Sequence, residues 1–85
     1  MKMKVFSVYD AKTEAFLQPF FMVTKGTAIR AFTDLVNDDK HHFGKHPEDF
    51  TLFELGEWDD CNNSWEMMAS PHSIGVGVEF KRQGL

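Results

Sequence analysis

The sequence predicts an α+β domain: a small antiparallel sheet of two β-hairpins with one main helix packed on it, in the order ββαββ plus a short C-terminal segment. Three observations predict it. The runs MKVFSVY (residues 3–9) and DFTLFELGEW (residues 49–58) are rich in β-branched and aromatic residues and bounded by turn formers. Residues 24–36 place apolar side chains at helical spacing. The chain has 85 residues, enough for a single hydrophobic core, so these elements share one domain spanning residues 1–85.

Taken in order, residues 3–9 form the first strand, and DAKTE (Asp10 to Glu14) turns the chain into AFLQPFFM as its partner. Pro19 has no N–H to donate to a ladder, so that second strand is an edge or carries a bulge there. Thr24 is a good N-cap, and Ala28, Ile29, Phe32, Leu35 and Val36 share one face of the helix that follows. Asn37-Asp38-Asp39 ends it. Residues 38–49, with Gly44 and Pro47, read as a long polar loop. The next strand places Phe53 and Leu55 on one face and Leu52 on the other, and DDCNN leads into SWEMMA as a second hairpin. Ser70–Lys81 reads either as a short helix after Pro71 or as a strand with a bulge at its glycines.

The composition narrows the functional classes. Nine Phe, two Trp and one Tyr are many for one small interior, which predicts a homo-oligomer that buries some of them at an interface. No apolar run reaches the roughly 20 residues that span a bilayer, and the start lacks the apolar stretch of a signal peptide. The single Cys61 rules out an internal disulfide framework and fits a reducing cytoplasm. The net charge of −4 is unevenly spread. Residues 1–45 carry seven Lys or Arg against five acids, whereas Glu48 to Glu79 carry eight acids and no Lys or Arg. The pattern predicts a bipolar molecule with any anion-binding face in its first half, not a uniformly basic nucleic-acid binder.

Four blocks carry a resemblance: VYDAKTEAFLQPFF, TKGTAIRAFTDLVND, KHPEDFTLFELGEWDD and SPHSIGVGVEF. Together, from about Val5 to Phe80, they resemble the small nonstructural protein of gokushoviruses, a subfamily of the single-stranded DNA microviruses. The most specific parts are Gln18-Pro19-Phe20-Phe21, Thr24-Lys25-Gly26 with Arg30, and His46-Pro47-Glu48-Asp49 leading to Leu52-Phe53-Glu54-Leu55-Gly56. The resemblance implies a non-capsid protein made in the cytoplasm of the infected bacterium. It also implies a role in phage DNA replication, in particular single-stranded genome synthesis, and the label DNA-binding. It brings no catalytic residues.

The residues themselves offer two kinds of site. Phosphate contact needs cations or exposed N–H groups, and single-strand binding adds aromatic platforms. The helix start supplies Thr24, Lys25 and Gly26 at a positive dipole end, with Arg30 one turn on. Lys2, Lys4 and Lys12 on the first hairpin extend the patch, and Tyr9, Phe20 and Phe21 are the stacking candidates. In the plain structural alternative Thr24 only caps, the phenylalanines fill the core, and the lysines are ordinary surface residues. The second site is a protein-partner surface at Trp58, Asp59 and Asp60, where acids around a Trp anchor steer a cationic partner, a replication protein of phage or host or a capsid precursor. Its structural alternative is a cross-strand pair of Trp58 and Trp65.

Two further chemistries are expected to be absent. His42 and His46 stand four apart beside Glu48 and Asp49, but Gly44 and Pro47 argue against the helix that would bring them together, so no metal is expected. His41 and His42 then read as solvated loop residues. No nucleophile motif, phosphate loop or isolated acid pair is present, and Cys61 lies among acids, a poor setting for a nucleophile. The chain reads as non-enzymatic and free of cofactors.

Overall fold

The computed structural model describes residues 1–82. Its sheet is antiparallel and α1 packs across one face, so the α+β architecture stands. β1 (Lys2–Asp10) lies inside the sheet, with β4 (Phe50–Asp59) along one side and two short strands, β2 (Ala15–Phe16) and β3 (Phe20–Met22), along the other. β5 (Ser64–Val76) closes the far edge beside β4. The predicted second strand is thus broken in two. The Leu17 N–H still donates to the Val8 carbonyl at 2.8 Å, and Gln18 and Pro19 then leave the ladder, with Tyr9 opposite Phe16 before the break and Phe6 opposite Phe20 after it. Pro19 has no ladder donor to lose there. The buried Ser7 hydroxyl donates to the Leu17 carbonyl at 2.7 Å and fixes the excursion.

α1 (Lys25–Val36) starts and stops where its sequence dictates. Thr24 is extended, and its Oγ1 accepts from the Thr27 N–H at 3.2 Å. Asn37 caps the other end, its side-chain amide donating to the Thr33 carbonyl at 2.7 Å and to the Phe80 carbonyl at 3.1 Å. The Lys81 ammonium donates to the Val36 carbonyl at 3.1 Å, placing a cation at the negative end of the helix. Ala28, Phe32 and Val36 are buried against Phe6, Val8, Phe50 and Leu52 of the sheet. A fully buried Phe or Leu contributes about 1.5–3 kcal/mol of transfer free energy, so Phe6, Phe32 and Leu52 anchor this layer.

The segment 38–49 is not the polar loop predicted. It forms α2 (His42–Lys45) and a 3-10 turn over Pro47–Asp49. Tertiary contact outweighs the local breakers. Phe43 is buried against Phe32 and Phe50, with ring centroids 5.5 and 4.6 Å away. Gly44 is needed for close approach: a β-carbon there would run into the Asp38 carbonyl of the chain leaving α1. His41 is not an incidental solvated residue either. Its Nδ1 accepts from the Phe43 N–H at 3.1 Å, capping α2, and its ring stands edge-on to Phe43.

The ambiguous C-terminal segment reverses both readings: Pro71 lies within the strand, which runs to Val76, and the helical turn, α3 (Gly77–Phe80), falls in the glycine-containing stretch that read as strand. Phe80 returns edge-on to Phe32, 5.7 Å between centroids. Pro71 sits in a wide bulge: Glu54 pairs with His72 and Gly56 with Met67, so Met68 to Pro71 bow out opposite Leu55. The bipolar charge picture is also corrected. Because β1 pairs with β4, Lys4 lies 3.6 Å from Glu54 and 3.9 Å from Glu57. The two halves of the sequence interleave in space.

Candidate nucleic-acid interface

An antiparallel register puts directly opposed residues on the same face. Phe6, Val8, Phe50 and Leu52 point to α1, so Met3, Val5, Ser7 and Tyr9 point to the other face of the sheet. Opposite them stand Trp58, Gly56, Phe53 and Thr51 on β4, and the ladder carries the same face to Trp65 and Met67 on β5 and to Phe16 and Phe21 on the short strands. Every residue the register places there is uncharged, and α1 packs on the opposite face.

Two aromatic groups occupy this face. Tyr9, Phe16 and Phe53 meet edge-on, with centroid separations of 5.0 Å for Tyr9–Phe16 and 5.3 Å for Phe16–Phe53. Phe21, Trp58 and Trp65 form the second, Phe21 lying 5.2 Å from Trp58 and 5.9 Å from Trp65, with the two indoles 5.7 Å apart. Both indole N–H groups donate to one acceptor, Asn63 Oδ1, at 2.8 and 3.1 Å. Asn63 is left-handed (φ 56°) in the β4–β5 turn, a conformation Asn tolerates. One side-chain oxygen thus orients both indoles. The Met67 sulfur packs over Gly56, where a β-carbon would lie 2.7 Å from Met67 Cα and collide with the Glu66 carbonyl. Trp65 and Met67 remain 50% and 51% exposed, and Phe16 45%.

The residues singled out from sequence are scattered across this frame. Thr24, Lys25 and Gly26 are together and exposed at the start of α1, three to five residues beyond Phe21 in the chain. Lys12 lies in the exposed β1–β2 turn at the end that carries Tyr9 and Phe16, its backbone N–H donating to Asp10 Oδ1 at 3.0 Å. Arg30 is five residues past Lys25, about 140° around the helix at 100° per residue, and does not join its patch. Lys4 is held between Glu54 and Glu57 on the helix side of the sheet. Phe20 stacks on Phe6 at 5.7 Å and belongs to the core, not to a surface platform.

The acidic surface around Trp58 is divided too. Glu57, Asp59 and Glu66 face the helix side with Lys2, and Trp58 faces away from them. Asp59 and Asp60 take the Met1 amine at 3.4 and 2.6 Å. The Asp60 hydrogen bond, followed by that to Cys61, pushes the amine up to about 11. The Cys61 backbone N–H above all, then the amine, lowers Asp59; the amine lowers Asp60. These two acids are committed to the chain's own first residue, which weakens them as a docking surface.

Sequence reasoning missed Phe16, Phe53 and Trp65 as members of one surface. Alternation places Tyr9 with Ser7 and Phe53 with Leu55, but only the register joins them across strands. Among the described residues no helix is long and apolar enough to cross a membrane. Residues 3–80 match the model of a family described as Phage ORF5 protein. No curated protein and no solved structure matches the chain.

Proposed function

The chain belongs to the Phage ORF5 protein family, and from that premise we propose that it is a non-enzymatic, nonstructural protein of a gokushovirus-like microvirus that binds single-stranded DNA. It would act in the cytoplasm of the infected bacterium, where replication turns to single-stranded genomes. The observation that carries this reading is the uncharged sheet face with its two aromatic groups, open on the side away from the helices. Unpaired bases stack on such rings at about 1–3 kcal/mol each and with little sequence preference. Lys12, in the turn after Tyr9, and Lys25, four residues after Phe21, are the cations proposed to meet phosphates, while Lys4, Arg30 and Phe20 are not part of the surface. With so few cations and a net charge of −4, affinity rests on stacking more than on phosphate contact.

Fluorescence anisotropy with a labelled oligothymidine at low salt tests the reading directly. Saturable binding that is lost when Trp65 and Phe21 are replaced supports it; no binding at low salt overturns it. One observation favours a second reading. A face without charges also resembles the centre of a protein interface, where charged residues are depleted. A second copy of the chain or a replication protein of phage or host would then cover it. Sedimentation velocity without DNA separates the two, because a stable dimer that dissociates on replacing Trp65 assigns the face to self-association.

A further inference from the structure

In the sequence Gly44 and Pro47 argue against a helix through His42 and His46, and no second ligand pair lies at a usual zinc spacing. α2 and the 3-10 turn supply a different set, in which His46 meets Glu48 and Asp49 rather than His42. α2 runs to Lys45 with His46 as its C-cap, and the chain then folds back through Pro47–Asp49, where the Asp49 N–H donates to the His46 carbonyl at 3.0 Å. This reversal brings a ring nitrogen of His46 and carboxylate oxygens of Glu48 and Asp49 within 4.8 Å of one another. They line an open groove with His42, one helical turn before His46, and with Asp10 from the end of β1.

The charges of the groove point the same way. Asp10, Glu48 and Asp49 gather three carboxylates, and none of them forms an ion pair with Lys or Arg among the described residues. Lys12 also lines the groove and offsets one of them. Imidazole with carboxylates is a donor set suited to zinc and its neighbours rather than to magnesium or calcium, which prefer oxygen alone.

We infer that this groove binds a divalent transition-metal ion of the zinc class through His46, Glu48 and Asp49, with His42 or water completing four donors. Metal–donor bonds of about 2.0–2.2 Å set tetrahedral donors roughly 3.4 Å apart, a small closure from the present spread. His46 and Glu48 are exposed and free to rotate into it. The bound ion ties α2 to the start of β4.

The test uses the untagged full chain. Calorimetric titration with zinc chloride gives one saturable site, and cobalt(II) gives the visible absorption of a four-coordinate ion bound to nitrogen and oxygen. His46→Gln and Asp49→Asn each weaken zinc binding at least about tenfold, since even groups behind the ligands change affinity by 10–100-fold. His72→Gln, on β5 opposite Glu54, leaves it unchanged. Circular dichroism establishes that each variant is folded, and the cobalt spectrum of the unaltered chain needs no variant. The inference is overturned if zinc shows no saturable binding below about 1 mM. It is equally overturned if the double variant His46→Gln/Asp49→Asn binds as the unaltered chain does.

Discussion

Replacing Trp65 by Ala separates the aromatic face as a binding surface from the same residues as mere sheet packing. Trp65 is 50% exposed, so its removal leaves no buried cavity. What the fold loses is a cross-strand contact with Trp58, worth about 0.2–1 kcal/mol, and edge contact with Phe21 of similar size. Against a domain stability of about 5–15 kcal/mol the variant stays folded. What a bound strand loses is one stacked base, about 1–3 kcal/mol, which weakens the dissociation constant by roughly 5- to 150-fold. Glu66→Ala is the matched control, because Glu66 neighbours Trp65 in the chain but faces the other side of the sheet. Anisotropy titrations with labelled oligothymidine, paired with urea melts of each variant, read the two effects separately. An unchanged dissociation constant for Trp65→Ala alongside the expected small loss of stability would refute the reasoning.

Other consequences follow from particular contacts. Lys12→Ala and Lys25→Ala should each reduce the slope of log affinity against log salt by about 0.7, while Lys4→Ala, whose ammonium is held by Glu54 and Glu57, should leave it unchanged. Gly44→Ala should destabilise by about 1–3 kcal/mol in urea melts, because the collision with the Asp38 carbonyl outweighs the roughly 1 kcal/mol that Ala gains over Gly in a helix. A stabilised variant would show that α2 is free to move away. The Met1 amine, raised to about 11, contributes fully below its ordinary value of 8.0 and ceases to as pH rises through about 11. Asp59 and Asp60 are lowered, so their share is present above the ordinary 3.8 and lost as pH falls below it. Side-chain carboxyl shifts of Asp60 in an NMR pH titration should follow both limits; a step near 8 would contradict the contact.

The fold class and the main helix were legible because their signals are local. Thr24, the apolar stripe and Asn37 act within a few residues of where they stand; the structure keeps both caps and buries Ala28, Phe32 and Val36 of the stripe, while Leu35 is exposed. The two indoles were legible as a pair for the same reason, since a short turn joins them. Where the sequence misled, the deciding contact came from elsewhere in the chain. Residues 42–49 form helical turns because Phe43 packs on Phe32 and Phe50, although Gly44 and Pro47 argue locally for a loop. The strand after Glu14 breaks because β1 offers one edge to two short partners. Lys4 left the cationic set because β4 brings Glu54 and Glu57 beside it, a neighbour that sequence distance hides. Phe20 and Phe21 show how finely this divides: adjacent in the chain, one stacks in the core and the other joins the open face.

The most direct test of the central claim is a heteronuclear NMR titration of the labelled chain with oligothymidine. The account predicts that the indole N–H signals of Trp58 and Trp65 shift together with amides of the aromatic face, those of Tyr9, Phe16, Phe21 and Phe53 among them. Shifts gathered instead on α1 around Arg30, or no shifts at low salt, would contradict it.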